Sequence, residues 1–103
     1  MIKVSVLYPN SSTASFDMDY YMQTHIPLVI ARLGAACKKI EVEDGLSGAA
    51  PGTAPPYRAV GHMLFDSIET FQAAFGPHAE EIMADVPKYT DIEPIVQIGQ
   101  VRL

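Results

Sequence analysis

The run Tyr57-Arg58-Ala59-Val60-Gly61-His62-Met63-Leu64-Phe65-Asp66-Ser67-Ile68-Glu69 passes from an extended stretch straight into a helix start. Tyr57 to Phe65 reads as a strand bounded by turn residues. Asp66 and Glu69 have the spacing of a capping box, with Asp66 in the cap role and Glu69 reaching back. The helix it opens carries Ile68, Phe71 and Phe75. Gly76-Pro77 interrupts it, and Pro77 suits the first position of a restarted segment. Ile82, Met83 and Val86 continue the apolar face, Pro87 closes it, and Ile92 to Leu103 reads as a last strand with Pro94 near its start.

Upstream lies Gly45 to Pro56, small, flexible and proline-punctuated, which reads as a loop. Before it, Cys37 to Asp44 reads as a strand. At the front, Ile2 to Tyr8 alternates, with Ile2, Val4, Val6 and Tyr8 on one face and Lys3, Ser5 and Leu7 on the other. Between these strands a helix is predicted from Asp17, its N-cap, to Leu33, with Gly34 as its stop. Met18, Met22, His25, Ile26, Val29 and Leu33 share its apolar stripe. The order is strand, helix, strand, strand, helix, strand: an α+β, ferredoxin-like βαββαβ fold with a four-stranded antiparallel sheet. Two helices cover one sheet face. Leu7, with either Val60 and Leu64 or Met63 and Phe65, is left on the other. Face-to-face pairing of two chains buries it, giving a dimeric barrel.

The 103 residues fit one domain, 1–103. A hydrophobic fraction of 49% is high for a small monomer and favours self-association. The net charge of −5, with no basic run beyond Lys38-Lys39, argues against nucleic acid and against an anionic membrane surface. No apolar stretch approaches the roughly 20 residues of a bilayer span, and the N-terminus alternates like a strand rather than a signal peptide. A single cysteine, Cys37, fits a reducing compartment, so a cytoplasmic protein is expected.

His25 is the first candidate for chemistry, since an imidazole titrates near neutrality and serves as general acid or base. Tyr21 lies one turn earlier on the same face. Pro27 lacks an N–H and frees the carbonyl of Gln23, so a kink is expected that opens a pocket against the sheet. Tyr8 points to the same region, and Tyr21, Met22 and Val29 complete the expected walls. His62, mid-strand, lines either this pocket or a chain–chain interface. His78 follows a turn and is expected at the surface. The histidines and the cysteine have no metal-ligand spacing, so no metal is expected. Cys37 reads as an inert thiol. Arg32 and Arg58 are candidate substrate-fixing cations, and the 45–56 loop is a linker or a lid.

The stretch Phe16 to Leu28, taken with Tyr8-Pro9, resembles the EthD family, named for ethyl tert-butyl ether degradation. The matching residues are Tyr8-Pro9, Asp17, Tyr20-Tyr21 and His25-Ile26-Pro27-Leu28. The tail is also similar, at Ala84-Asp85-Val86-Pro87-Lys88-Tyr89-Thr90-Asp91 and again at Gln97-Ile98-Gly99. The family's second aromatic is often tryptophan, where this chain has Tyr21. The resemblance implies the dimeric α+β barrel and a place in the breakdown of small organic compounds. Relatives in that superfamily include lactone isomerases, polyketide cyclases, cofactor-free monooxygenases and heme-binding proteins.

The expectation formed here is a small-molecule enzyme with a histidine-centred, cofactor-free pocket. His25 moves a proton on a carbonyl or lactone substrate, and Tyr8, Tyr21, Met22, Val29 and His62 contact the substrate. The alternatives are a cofactor-independent monooxygenase acting on an oxidisable substrate such as a hydroquinone, and a heme-binding or non-catalytic carrier.

Overall fold

The computed structural model describes residues 1–103, as β1 (Ile2–Pro9), α1 (Met18–Tyr20), α2 (Ile26–Leu33), β2 (Lys39–Asp44), β3 (Tyr57–Phe65), α3 (Ile68–Phe75), α4 (Ala79–Asp85) and β4 (Ile95–Gln100). The strands form one sheet in the order β2-β3-β1-β4, and every neighbouring pair is antiparallel. This is the ferredoxin-like βαββαβ arrangement that the element order predicts. No helix is long and apolar enough to cross a membrane.

Alternation along the strands decides what is buried. Ile2, Val4 and Tyr8 of β1 lie beside Phe65, Met63 and Ala59 of β3, and these six are buried under the helices. Val29 and Leu33 from α2 and Ile82 from α4 complete the main core. A second cluster joins Tyr8, Tyr21, Ile26, Ala59 and Tyr89. Complete burial of a side chain such as Phe65 or Val4 stabilises the fold by about 1.5–3 kcal/mol.

The opposite face carries Leu7, Val60, Leu64 and Ile95 with Lys3, Ser5, His62, Glu41 and Glu43. Of the two sets expected on this face, Val60 and Leu64 are the ones left uncovered. Met63 and Phe65 face the helices.

The first helical run departs from a regular α-helix. Asp17 caps it, accepting the Tyr20 N–H at 3.0 Å, and Gly34 ends it at a φ of 60°. Between α1 and α2, Tyr21–His25 form a π-helical turn in which the Ile26 N–H bonds the Tyr21 carbonyl. The backbone irregularity expected at Pro27 is thus a widened turn just before it. Its consequence falls on Met22. Counting back from Ile26, α-spacing points residue 22 inward, but the five-residue step of the π-turn gives that place to Tyr21. Tyr21 is 2% exposed and Met22 44% exposed.

Two boundaries also differ from expectation. Ser67, rather than Asp66, caps α3, its hydroxyl accepting the Thr70 N–H at 3.1 Å. Extended backbone at Ser67 aims that hydroxyl at the helix end, while the Asp66 carboxylate stands 3.9 Å from Lys38 Nζ. The last strand begins at Ile95, because Pro94 has no N–H to place in a ladder with β1. The 45–56 loop folds on itself through Gly48 N–H to Thr53 carbonyl at 3.1 Å. Asn10 ties it to the end of β1 by donating to Pro55 and Pro56 carbonyls at 3.0 and 2.9 Å.

Candidate functional site

Between the helices and the sheet lies a cavity of about 80 Å³. Tyr8 enters it from β1, Tyr21 and His25 from the π-turn, and Val29 from α2. It opens toward β4, most of whose residues are exposed, and Met83 (48% exposed) and Val96 (55% exposed) line it there. The 45–56 loop lines none of it.

His25 is the lining histidine that is buried. Its Nδ1 lies 3.0 Å from Oδ2 of Asp85 at the end of α4, and both side chains are buried. Asp85 also accepts from the Tyr20 hydroxyl at 2.7 Å, and Lys88 Nζ stands 3.7 Å away. Burial raises the Asp85 pKa. The hydrogen bonds from Tyr20 and His25 and the nearby charges of His25 and Lys88 outweigh this and lower it below the usual value. An ionised Asp85 can only accept, so Nδ1 carries the imidazole proton and Nε2 keeps its lone pair. Burial depresses the His25 pKa below 6.5, and the pull of Asp85 opposes this only in part. The imidazole is therefore neutral at pH 7, with its basic nitrogen on the side away from Asp85.

On that side stands a chain of phenols. The Tyr89 hydroxyl is 3.4 Å from Nε2 and 2.7 Å from the Tyr8 hydroxyl, and Tyr21 leans on Tyr8. With Nε2 unprotonated, Tyr89 donates to it, and Tyr8 donates to Tyr89. Burial pushes the phenols of Tyr8, Tyr21 and Tyr89 well above their ordinary range, so all three stay protonated and act as donors. The rings lock one another: Tyr21 stacks on His25 at 5.5 Å, and Tyr89 tilts over His25 at 4.6 Å. Gly61 makes room for this packing. A Cβ there would sit 2.9 Å from the Tyr21 hydroxyl.

The chain segments before α1 and after α4 are clasped together. Asp17 N–H donates to the Tyr89 carbonyl at 2.7 Å, Ser15 N–H to Asp91 Oδ1 at 3.0 Å, and the Thr90 hydroxyl to the Ser15 carbonyl at 2.7 Å. This clasp holds Asp85 and Tyr89 against a histidine some 60 residues earlier.

Of the residues singled out from sequence, His25, Tyr8, Tyr21 and Val29 share the cavity. Met22 does not, because the π-turn rotates it to the surface. His62 is among the lining residues. Its ring lies on the opposite sheet face, where Nδ1 is 3.0 Å from Ser5 Oγ and Nε2 is 3.5 Å from Glu43. Asp85 and Tyr89 were not singled out, although both lie in the tail stretch that carries the family resemblance. Arg32 is held by Glu81 at 2.7 and 3.0 Å, and Arg58 by Asp44 at 2.6 Å, so neither serves the cavity. No group of three or more His, Cys, Asp or Glu is arranged to hold a metal ion.

A family model described as EthD domain matches residues 10–93. A search of curated protein sequences finds no match. Among solved structures, an EthD-like protein from Ralstonia eutropha JMP134 is 46% identical, with a TM-score of 0.94 over 99% of this chain and 92% of that one. A dimeric ferredoxin-like protein of unknown function from Thermobifida fusca YX has a TM-score of 0.61 at 16% identity, covering 97% and 90% of the two chains. The hydroxynitrile lyase of Passiflora edulis has a TM-score of 0.63 at 18% identity, covering 98% and 93%. At such identities the last two share the fold alone.

Proposed function

The chain belongs to the EthD family, and from that premise we propose a small-molecule enzyme of organic-compound breakdown that moves a proton at a carbon beside a carbonyl. The observation that carries this reading is the buried contact of 3.0 Å between His25 and Asp85, which leaves a neutral imidazole with its basic Nε2 turned from the carboxylate. In the proposed step the substrate displaces the long 3.4 Å contact from the Tyr89 hydroxyl, and Nε2 takes a proton from the acidic carbon. The C–H electrons form a carbon–carbon double bond and charge moves onto the carbonyl oxygen. Asp85 stabilises the imidazolium that forms, and the Tyr21 hydroxyl donates to the enolate oxygen, the Tyr8 proton being held by Tyr89. The imidazolium then returns its proton, to the enolate oxygen in an enolisation or to a different carbon of the conjugated enolate in a lactone isomerisation. His25 serves as base and then acid, and the step requires no cofactor. General acid–base assistance of this kind contributes about 10²–10⁴-fold in rate.

We also propose that the working unit is a homodimer closed through the bare sheet face. Support comes from Leu7, Val60, Leu64 and Ile95 on that face, and from the dimeric state of the Thermobifida fusca protein of the same fold.

The test is deuterium incorporation from D₂O into a panel of lactones and β-dicarbonyl compounds, followed by NMR. Wild type should exchange α-protons, and His25→Gln should lose about 10²–10⁴-fold of the enzymatic rate. Exchange that survives in His25→Gln would rule out the proposed base.

A further inference from the structure

We propose that the cavity takes an uncharged, compact and largely hydrocarbon molecule with one oxygen function, bound with that oxygen toward the phenols. This rests on the proton-transfer reading and names its substrate class. No Lys, Arg, Asp or Glu lines the cavity. Of its lining residues, Tyr8 and Tyr21 belong to one buried cluster, with His25 stacked on Tyr21, while Val29, Met63 and Ile82 belong to the other, apolar one, with Phe75 packed against it.

The charges near the cavity are already engaged. Arg32 and Arg58 do not line the cavity and hold Glu81 and Asp44. Lys88 meets Asp85, and its own side chain is 67% exposed. A substrate carboxylate would enter with no cation to pair it and with the Asp85 carboxylate behind His25, repelling it. A substrate ammonium would find no free carboxylate, because Asp85 already binds Tyr20, His25 and Lys88. Burying an unpaired charge costs far more than a cavity of this size returns in apolar contact.

A neutral carbonyl matches the donors. Its oxygen accepts from a phenol that burial keeps protonated, and its carbon skeleton fills the apolar end. A cavity of about 80 Å³ selects small rings and short chains. The reaction that supplies such a substrate must leave a ketone, ester or lactone rather than a free acid.

The experiment uses matched pairs: small lactones and cyclic ketones, each against the hydroxy acid or carboxylate of the same carbon number. Binding is read by thermal shift and calorimetry at pH 7.5, where the acids are ionised. The neutral member should bind at least about 100-fold more tightly. Met83→Lys adds a cation at the exposed mouth and should narrow that gap by strengthening the acids. Acids that bind wild type as well as their neutral partners overturn the proposal, as does a panel in which no neutral member binds. Neutral ligands that bind without α-proton exchange leave this inference standing and remove the proton-transfer reading. Exchange confined to acids does the reverse.

Discussion

A histidine that stays neutral beside a carboxylate leaves a mark on the stability of the protein. Burial lowers the His25 pKa from 6.5, and hydrogen bonding lowers that of Asp85 from 3.8 against the opposing effect of burial. Both groups hold fewer protons folded than unfolded. Stability from His25 is therefore complete above pH 6.5 and is lost as the pH falls toward its depressed folded value, while that from Asp85 is lost below 3.8. Urea unfolding of wild type should show stability declining from pH 7.5 to 5.5, and His25→Gln should flatten the decline. Equal slopes in the two proteins would contradict a buried neutral imidazole. Sequence makes His25, Tyr21 and Tyr8 legible, because an imidazole in an apolar stripe and a tyrosine one turn away are local facts. It conceals Asp85, whose segment also carries Glu80 and Glu81 and so resembles a solvated helix; only the fold turns that carboxylate inward.

At the scale of the element, the π-turn decides which side chain meets the cavity. Periodicity alone assigns Met22 to the pocket, since a hydrogen-bonding shift of one residue has no signature in an apolar pattern. The Pro27 that frees a carbonyl is its nearest sequence trace. Met22→Lys should leave denaturant stability within about 0.5 kcal/mol of wild type, as exposed positions do. Tyr21→Ala should cost about 3–5 kcal/mol, as buried aromatic truncations do. Comparable losses at both positions would mean that the helix is regular and its register misread. The Ser67 cap teaches the same lesson more gently: Asp66 and Ser67 are both good caps in sequence, and only backbone extension at Ser67 chooses between them.

For the whole molecule, strand and helix order sufficed to read the fold, because turn residues and helix stops bound the elements clearly in the sequence. Which of two residue sets stays uncovered on β3 was not legible, since both faces of that strand carry apolar residues; it is settled by the pairing of Val4 with Met63. If the Val60 face closes a homodimer, Val60→Glu and Leu64→Glu should shift the protein to monomer in analytical ultracentrifugation at micromolar concentration. Their secondary structure should persist, because neither side chain enters the helix-covered core. A dimer unchanged by both substitutions would move the interface elsewhere.

The clasp between the segments around Ser15 and Thr90 has a consequence for inheritance. Strand β1 is sandwiched between β3 and β4, and the histidine and its carboxylate lie on opposite sides of the 45–56 loop. No short peptide of this chain carries the pair, which spans 60 positions, so the site cannot be transplanted as a small cassette. A gene recombined within that loop takes His25 from one parent and Asp85 from the other. Whether their 3.0 Å contact re-forms is then a test of how compatibly two lineages have diverged.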